Sequence, residues 1–256
     1  MKKSIKILAI GNSFSIDAME YLWHTLRAGG VEEVTLGNLY IPGCPVSLHA
    51  DNIASDAHTY IYYKNTDGTW RAAPDTSLAH GLADEAWDII TLQQSSHDSG
   101  LPETYARQTE VTDYVHAHKR NPNAVLYWHM TWAYQQDSDH WAFPRYGCDQ
   151  ATMYNAILHT VRSEILTNPA YGGVIPSGIA IQNLRATPVG DTVTRDGFHM
   201  SESHGRYAAA LTWAQTLCGV DPDTVDWMPE AFADVIRPDL PYIREAVKAA
   251  GQASLV

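Results

Sequence analysis

The stretch ILAIGNSFSIDA, residues 7–18, decides how the rest of the chain is read. Ile7, Leu8, Ala9 and Ile10 form a short apolar run with β-branched members, the pattern of a strand buried on both faces of a sheet. Gly11-Asn12 ends the run, and Ser13 stands where the chain turns off the strand. Ala18, Met19, Tyr21, Leu22 and Leu26 follow at helical spacing, so one helix is expected to start at once and run to the Gly29-Gly30 stop. A serine at such a turn has its hydroxyl at the carboxyl end of the sheet and its N–H at a helix start, which suits a nucleophile. The position suits a helix cap equally well, with Ser13 or Ser15 as N-cap and Asp17 in the first turn.

Outward from this stretch, strands and helices alternate. Residues 31–40 read as a second strand, ending in the turn Ile41-Pro42-Gly43-Cys44-Pro45, where the prolines forbid further ladder pairing. Gly43 lies just past this strand as Gly11 to Ser13 lie just past the first, so the two loops are expected to be neighbours on one sheet edge. Residues 60–71 (YIYYKNTDGTWR) read as a hairpin about Thr66-Asp67-Gly68, an excursion from the main sheet that could wall a cleft. A buried strand over 87–92 runs into QQSSHDSG, residues 93–100, whose polar side chains are costly to bury unless paired or beside a site. A helix over 102–119, a strand over 124–130 and an aromatic-rich loop over 131–147, read as a lid or cleft wall, come next. A helix over 151–166 and a Pro-interrupted strand over 173–181 follow. The segment TRDGFHMS, residues 194–201, precedes a helix over 202–217, and 220–256 is a helical tail. This alternation argues an α/β fold with a mainly parallel sheet covered on both faces, with ligands at the carboxyl ends of its strands.

Length and composition fit one domain over 1–256. The formal net charge of −12 argues against nucleic acid, whose phosphates need clustered Lys and Arg. No run approaches a membrane span and none has the length of a signal core, so the sequence reads as cytoplasmic or as a mature chain without its leader. Cys44, Cys148 and Cys218 are an odd, widely spaced set without a CxxC pair, expected to be buried free thiols. The histidines lack an HExxH or carboxylate-rich pattern, and neither GxxxxGK nor GxGxxG is present, so no metal and no cofactor is expected.

DGFH is the second informative stretch. Asp196 and His199 lie three apart before a helix, and a turn there would let the carboxylate hold one imidazole nitrogen while the other faces outward. His199 would then be a general base and Asp196 the group fixing its tautomer. Cys44 is the alternative nucleophile, without an evident histidine partner. Arg195 could brace Asp196 or neutralise an acidic sugar, and His97-Asp98 could line the pocket.

Together, GNS after the first strand, Gly43 after the second and the D-x-x-H of Asp196 to His199 resemble the SGNH/GDSL hydrolase superfamily. GNSFS, LQQSSHDSG, PSGIAIQNLR and RDGFHMSESHGRYAAALTW look most like its DUF4886 branch. The resemblance implies a three-layer α/β/α sandwich of SGNH (flavodoxin-like) type. It also implies a serine esterase acting on acyl esters, O-acetyl groups of carbohydrates first, with Ser13 as nucleophile, His199 as base and Asp196 as its partner. The N–H groups of Ser13 and Gly43 would be two oxyanion donors. Asn12 replaces the family's aspartate, which on the sequence matters little. No G-x-N-D follows the 87–92 strand, so the third donor has no direct match; Gln94 is the best substitute and Gln93 the next. Lipase, thioesterase and non-catalytic carbohydrate-binding readings stay open on the same fold, and the oligomeric state is open.

Overall fold

The first apolar run continues into a longer strand because Ile5 and Gly11 extend the same alternation; Ile7 to Ile10 are all fully buried. In the computed structural model, which describes residues 3–254, this strand is the centre of a seven-stranded sheet. The strands are β1 (Ser4–Gly11), β2 (Glu33–Tyr40), β3 (Tyr60–Asn65), β4 (Arg71–Thr76), β5 (Ile89–Leu92), β6 (Val125–His129) and β7 (Gly173–Ile175). Their order is β4-β3-β2-β1-β5-β6-β7. β2, β1, β5, β6 and β7 are parallel to one another, and β3 and β4 close one edge antiparallel.

Helices cover both faces. On one lie α1 (Ser13–Met19), α2 (Leu22–Ala28), α7 (Ser177–Arg185), α8 (His204–Cys218) and α10 (Leu240–Gln252), packed on one another. On the other lie α3 (Val46–Ser55), α4 (Leu78–Asp84) and α5 (Gln108–His118); α6 (Gln150–Thr160) and the single turn α9 (Ala233–Ile236) complete the set. This is the expected three-layer α/β/α sandwich with a mainly parallel sheet. Among the described residues no helix is long and apolar enough to cross a membrane.

Five expectations need correction. The first helix is two, α1 and α2, parted at Glu20-Tyr21, where Tyr21 turns to donate its hydroxyl to Glu202 O and pack on Trp227. The hairpin is no excursion: Tyr40 to Leu36 of β2 pair with Ile61 to Asn65, so it extends the sheet. The seventh strand stops at Ile175, because Pro176 breaks the ladder and residues 177–185 form α7. The aromatic loop after β6 is mostly core, not lid. Trp132, Tyr134, Phe143 and Tyr146 are buried, and Trp141 alone of its large aromatics is exposed, at 70%. Finally, Cys148 is exposed while Cys44 and Cys218 are buried.

The junction of β7 and α7 tests the packing. Gly178 N–H donates to Met130 O, and a Cβ at this position would sit 2.2 Å from the Thr131 carbonyl oxygen. Helix propensity alone favours alanine over glycine by about 1 kcal/mol. The backbone clash outweighs that gain, so Gly178→Ala is expected to lower the thermal midpoint by several degrees. A stabilised variant in a calorimetric scan would contradict the packing described.

Candidate active site

The carboxyl ends of β1, β2 and β5 carry the three loops that the sequence singles out. Ser13 is the first residue of α1, and its cap is Asn12, not Ser15. Asn12 Oδ1 accepts from Phe14 N at 3.1 Å, while the Ser15 hydroxyl turns inward to Asn12 O and Asn38 Oδ1. Ser13 Oγ therefore points away from capping. It lies 2.8 Å from His199 Nε2, although 186 positions separate the two residues.

The DGFH segment forms the turn its spacing suggested. Asp196 Oδ2 is 2.7 Å from His199 Nδ1, and Asp196 Oδ1 accepts the N–H groups of Phe198 and His199. A carboxylate can only accept, so Nδ1 carries the proton and Nε2 is left to accept from the Ser13 hydroxyl. Partial burial pushes the Asp196 carboxyl upward, but the hydrogen bonds from the His199 ring and backbone outweigh it and hold it below its ordinary value. Gly197 makes the turn possible: its φ is +85°, and a Cβ would meet Ser138 Oγ at 2.8 Å. The imidazole packs on Phe198 and against the edge of Phe14, which is itself stacked on Trp132 at 4.3 Å.

Asp17 joins the two stretches, a role the sequence reading missed. It is fully buried, one helical turn below Ser13, and accepts from Arg195 Nη1 (2.9 Å), Arg206 Nε (2.8 Å) and Met200 N (2.8 Å). Arg195 thus braces Asp17, not Asp196. The signal was available: an aspartate between Phe14 and Ala18-Met19 on an otherwise buried helix has to be paired.

Asn12 is a second junction. Its amide Nδ2 donates to Cys44 O (3.1 Å) and Gln94 O (3.3 Å), and its Oδ1 also accepts from Gln93 Nε2 at 2.6 Å. One side chain so ties the Ser13 turn to the loops of Gly43 and of Gln93-Gln94. Behind it, Gln93 Oε1 accepts from His129 Nδ1 (2.7 Å) and His129 Nε2 accepts from Ser177 Oγ (3.0 Å), a chain buried throughout. Burial pushes His129 down to about 3, so the ring is neutral.

Gln94 does not turn its amide toward Ser13. It is buried, with Oε1 accepting from Val46 N and Ser95 N and Nε2 donating to Thr104 O and Oγ1, which corrects its assignment as third oxyanion donor. Gln93 is equally committed. Gly43 is exposed at φ +59°, and its N–H and that of Ser13 find no acceptor among the described residues. Cys44 does have a histidine neighbour, His49 Nδ1 at 3.6 Å, but burial pushes the thiol up to about 12 and the imidazole down to about 4. Both stay neutral, so no thiolate forms. His97 and Asp98 lie outside the cleft wall and hold Ser95 and Arg145.

A cleft of about 360 Å³ opens beside Ser13 and His199. Ile16 from α1, Glu20 just past its end, and Asn38 and Tyr40 from β2 form one side. Tyr63 and Trp70 from the hairpin and Arg195 close it, so the hairpin walls the cleft.

The sheet order and the helical layers on its two faces are a fold shared with SGNH hydrolases of known structure. The chain matches the family described as Domain of unknown function (DUF4886) over residues 6–236, and it belongs to that family. A DUF4886 family protein from Bacteroides uniformis is 36% identical, with 98% of this chain and 94% of that one covered and a TM-score of 0.89. A candidate SGNH hydrolase from Slackia heliotrinireducens shares the fold at 19% identity, TM-score 0.54, covering 84% of this chain and 99% of that one. TesA shares it at 12% identity, TM-score 0.52, with 84% and 99% covered. No curated protein matches the sequence.

Two outcomes follow from the junctions. Asn12→Asp keeps the shape but replaces a donor by a carboxylate facing two carbonyl oxygens. It is expected to lower the thermal midpoint by several degrees, and an unchanged value would contradict the junction. The buried His129 sets a pH dependence: an unfolded imidazole protonates near 6.5, the native ring only near 3. The stability it contributes is whole above about pH 6.5 and is lost as pH falls toward 3, since the unfolded chain then binds the extra proton. The urea midpoint of His129→Gln should fall less steeply than that of the unsubstituted protein between about pH 6 and 4.

Proposed function

We propose that the protein is a serine ester hydrolase that removes acyl groups, acetyl first, from a carbohydrate substrate. The observation that carries this reading is the line of two short hydrogen bonds, Ser13 Oγ to His199 Nε2 at 2.8 Å and His199 Nδ1 to Asp196 Oδ2 at 2.7 Å. Ser13 Oγ attacks the ester carbonyl carbon while its proton passes to His199 Nε2, and Asp196 stabilises the imidazolium. The tetrahedral oxyanion is held by the N–H groups of Ser13 and Gly43, which have no acceptor of their own among the described residues. Collapse breaks the bond to the alcohol, which leaves with the proton from His199. Water, deprotonated by the same nitrogen, then attacks the acyl-serine and releases the carboxylic acid. The residues alone supply each proton and each charge, so the chemistry needs no cofactor.

The carbohydrate part of the reading is supported by the cleft wall, where Tyr40, Tyr63 and Trp70 offer ring faces beside Ser13. The test is hydrolysis of p-nitrophenyl acetate. Ser13→Ala and His199→Ala are each expected to lower kcat/KM by at least about 10³-fold. Retention within a few-fold in Ser13→Ala would contradict the nucleophile.

A further inference from the structure

Polar groups around Ser13 fall into two sets. Those beneath the sheet edge, Asn12, Asp17, Gln93 and Gln94, have their hydrogen bonds filled by the protein. Those in the cleft wall do not. Among the described residues the Glu20 carboxylate accepts no hydrogen bond, and its ion pair with Arg206 Nη1 is a long one at 4.0 Å. The Tyr40 and Tyr63 hydroxyls have no partner among the described residues, and Arg195 uses Nη1 on Asp17 and Met200 O while Nε and Nη2 stay free. Glu20 caps the carboxyl end of α1, seven residues on from Ser13, with its side chain about two-thirds covered. A carboxylate so placed with one long ion pair and no hydrogen bond is costly, and burial outweighs the nearby Arg206 to push it above its ordinary value.

We infer that Glu20 is a specificity-determining residue of this cleft: it accepts a hydroxyl of a neutral, hydroxyl-rich ring that carries the ester and lies against Tyr63 and Trp70. The inference rests on the ester-hydrolase reading above and says which substrates it takes. A hydroxyl both donates and accepts, so one such ring can satisfy Glu20, the tyrosine hydroxyls and the free Arg195 nitrogens together. A hydrocarbon chain would leave all of them buried without partners, each at a cost. Charge narrows the class further. Asp17 and Glu20 against Arg195 and Arg206 are formally neutral, and Arg195 is already paired, so an anionic ring would meet Glu20 with no cation left over. The acidic-sugar role considered for Arg195 is thereby replaced by a neutral one.

The test compares p-nitrophenyl acetate, p-nitrophenyl octanoate, mono-O-acetyl methyl glucoside and the corresponding glucuronide. The unsubstituted protein is expected to prefer the acetyl glucoside over the octanoate and over the glucuronide by at least tenfold in kcat/KM. Glu20→Leu should lower the ratio of acetyl glucoside to p-nitrophenyl acetate at least tenfold, mainly through KM. Glu20→Gln, which keeps an acceptor, should recover part of that ratio and narrow the gap to the glucuronide. An unchanged ratio in Glu20→Leu, or octanoate cleaved as well as acetyl glucoside, overturns the inference while leaving the ester-hydrolase reading intact. Absence of hydrolysis of every ester overturns the reading itself. The ratio is internal to each variant, so a loss of folded protein does not move it.

Discussion

The structure depends on one buried carboxylate. Asp17 is the point at which the amino-terminal helix and the segment before α8 are joined, and the serine and histidine meet because it holds them. Its three donors come from positions 178 to 189 residues downstream. The Asp17 carboxylate is fully buried, where an unpaired charge would be expensive: breaking a buried pair of this kind costs on the order of 3–5 kcal/mol. The result is a fixed offset between α1 and the DGFH turn, and a 2.8 Å contact that neither stretch could hold alone.

Asn12 does for the loops of Gly43 and Gln93-Gln94 what Asp17 does for the imidazole. Its amide donates to two carbonyls and its oxygen accepts from Gln93 besides capping α1, so three loops at the ends of β1, β2 and β5 are set against one another by three bonds. An aspartate there could not make both donations. The chain of Gln93, His129 and Ser177 extends this brace through the sheet to α7. Pre-organisation of that sort is what acyl transfer asks of a protein, since donors already in place cost nothing to reorient as charge develops. The cleft wall is the counterpart, a region whose polar groups the fold leaves open.

Much of this was legible in the sequence, for physical reasons that can be named. The β-branched apolar run at Ile7 to Ile10, stopped by Gly11-Asn12, reads as a buried strand, and strand-helix alternation leaves few topologies. Asp196 and His199 sit at a spacing that one turn brings together, with Gly197 supplying its positive φ. The residues read wrongly were those whose roles depend on long-range partners. Gln94 looked like a donor because its loop was right, but Thr104 and Val46, unseen from local sequence, engage its amide. Asp17 read as a helix-start acid because the arginines that pair with it are far down the chain. The aromatic loop read as a lid because aromatic content alone does not say which rings are buried. The Pro176 junction was placed inside a strand because an apolar run of that length fits strand and helix alike.

The central claim is that Ser13 is the nucleophile that His199 activates. The most direct measurement is covalent labelling by a fluorophosphonate, followed by mass spectrometry of the intact chain and of its peptides. The expected result is one adduct per chain, on the peptide containing Ser13, forming far more slowly in His199→Ala. A chain that takes no label, or takes it on Ser95 or Ser96 instead, would contradict the account.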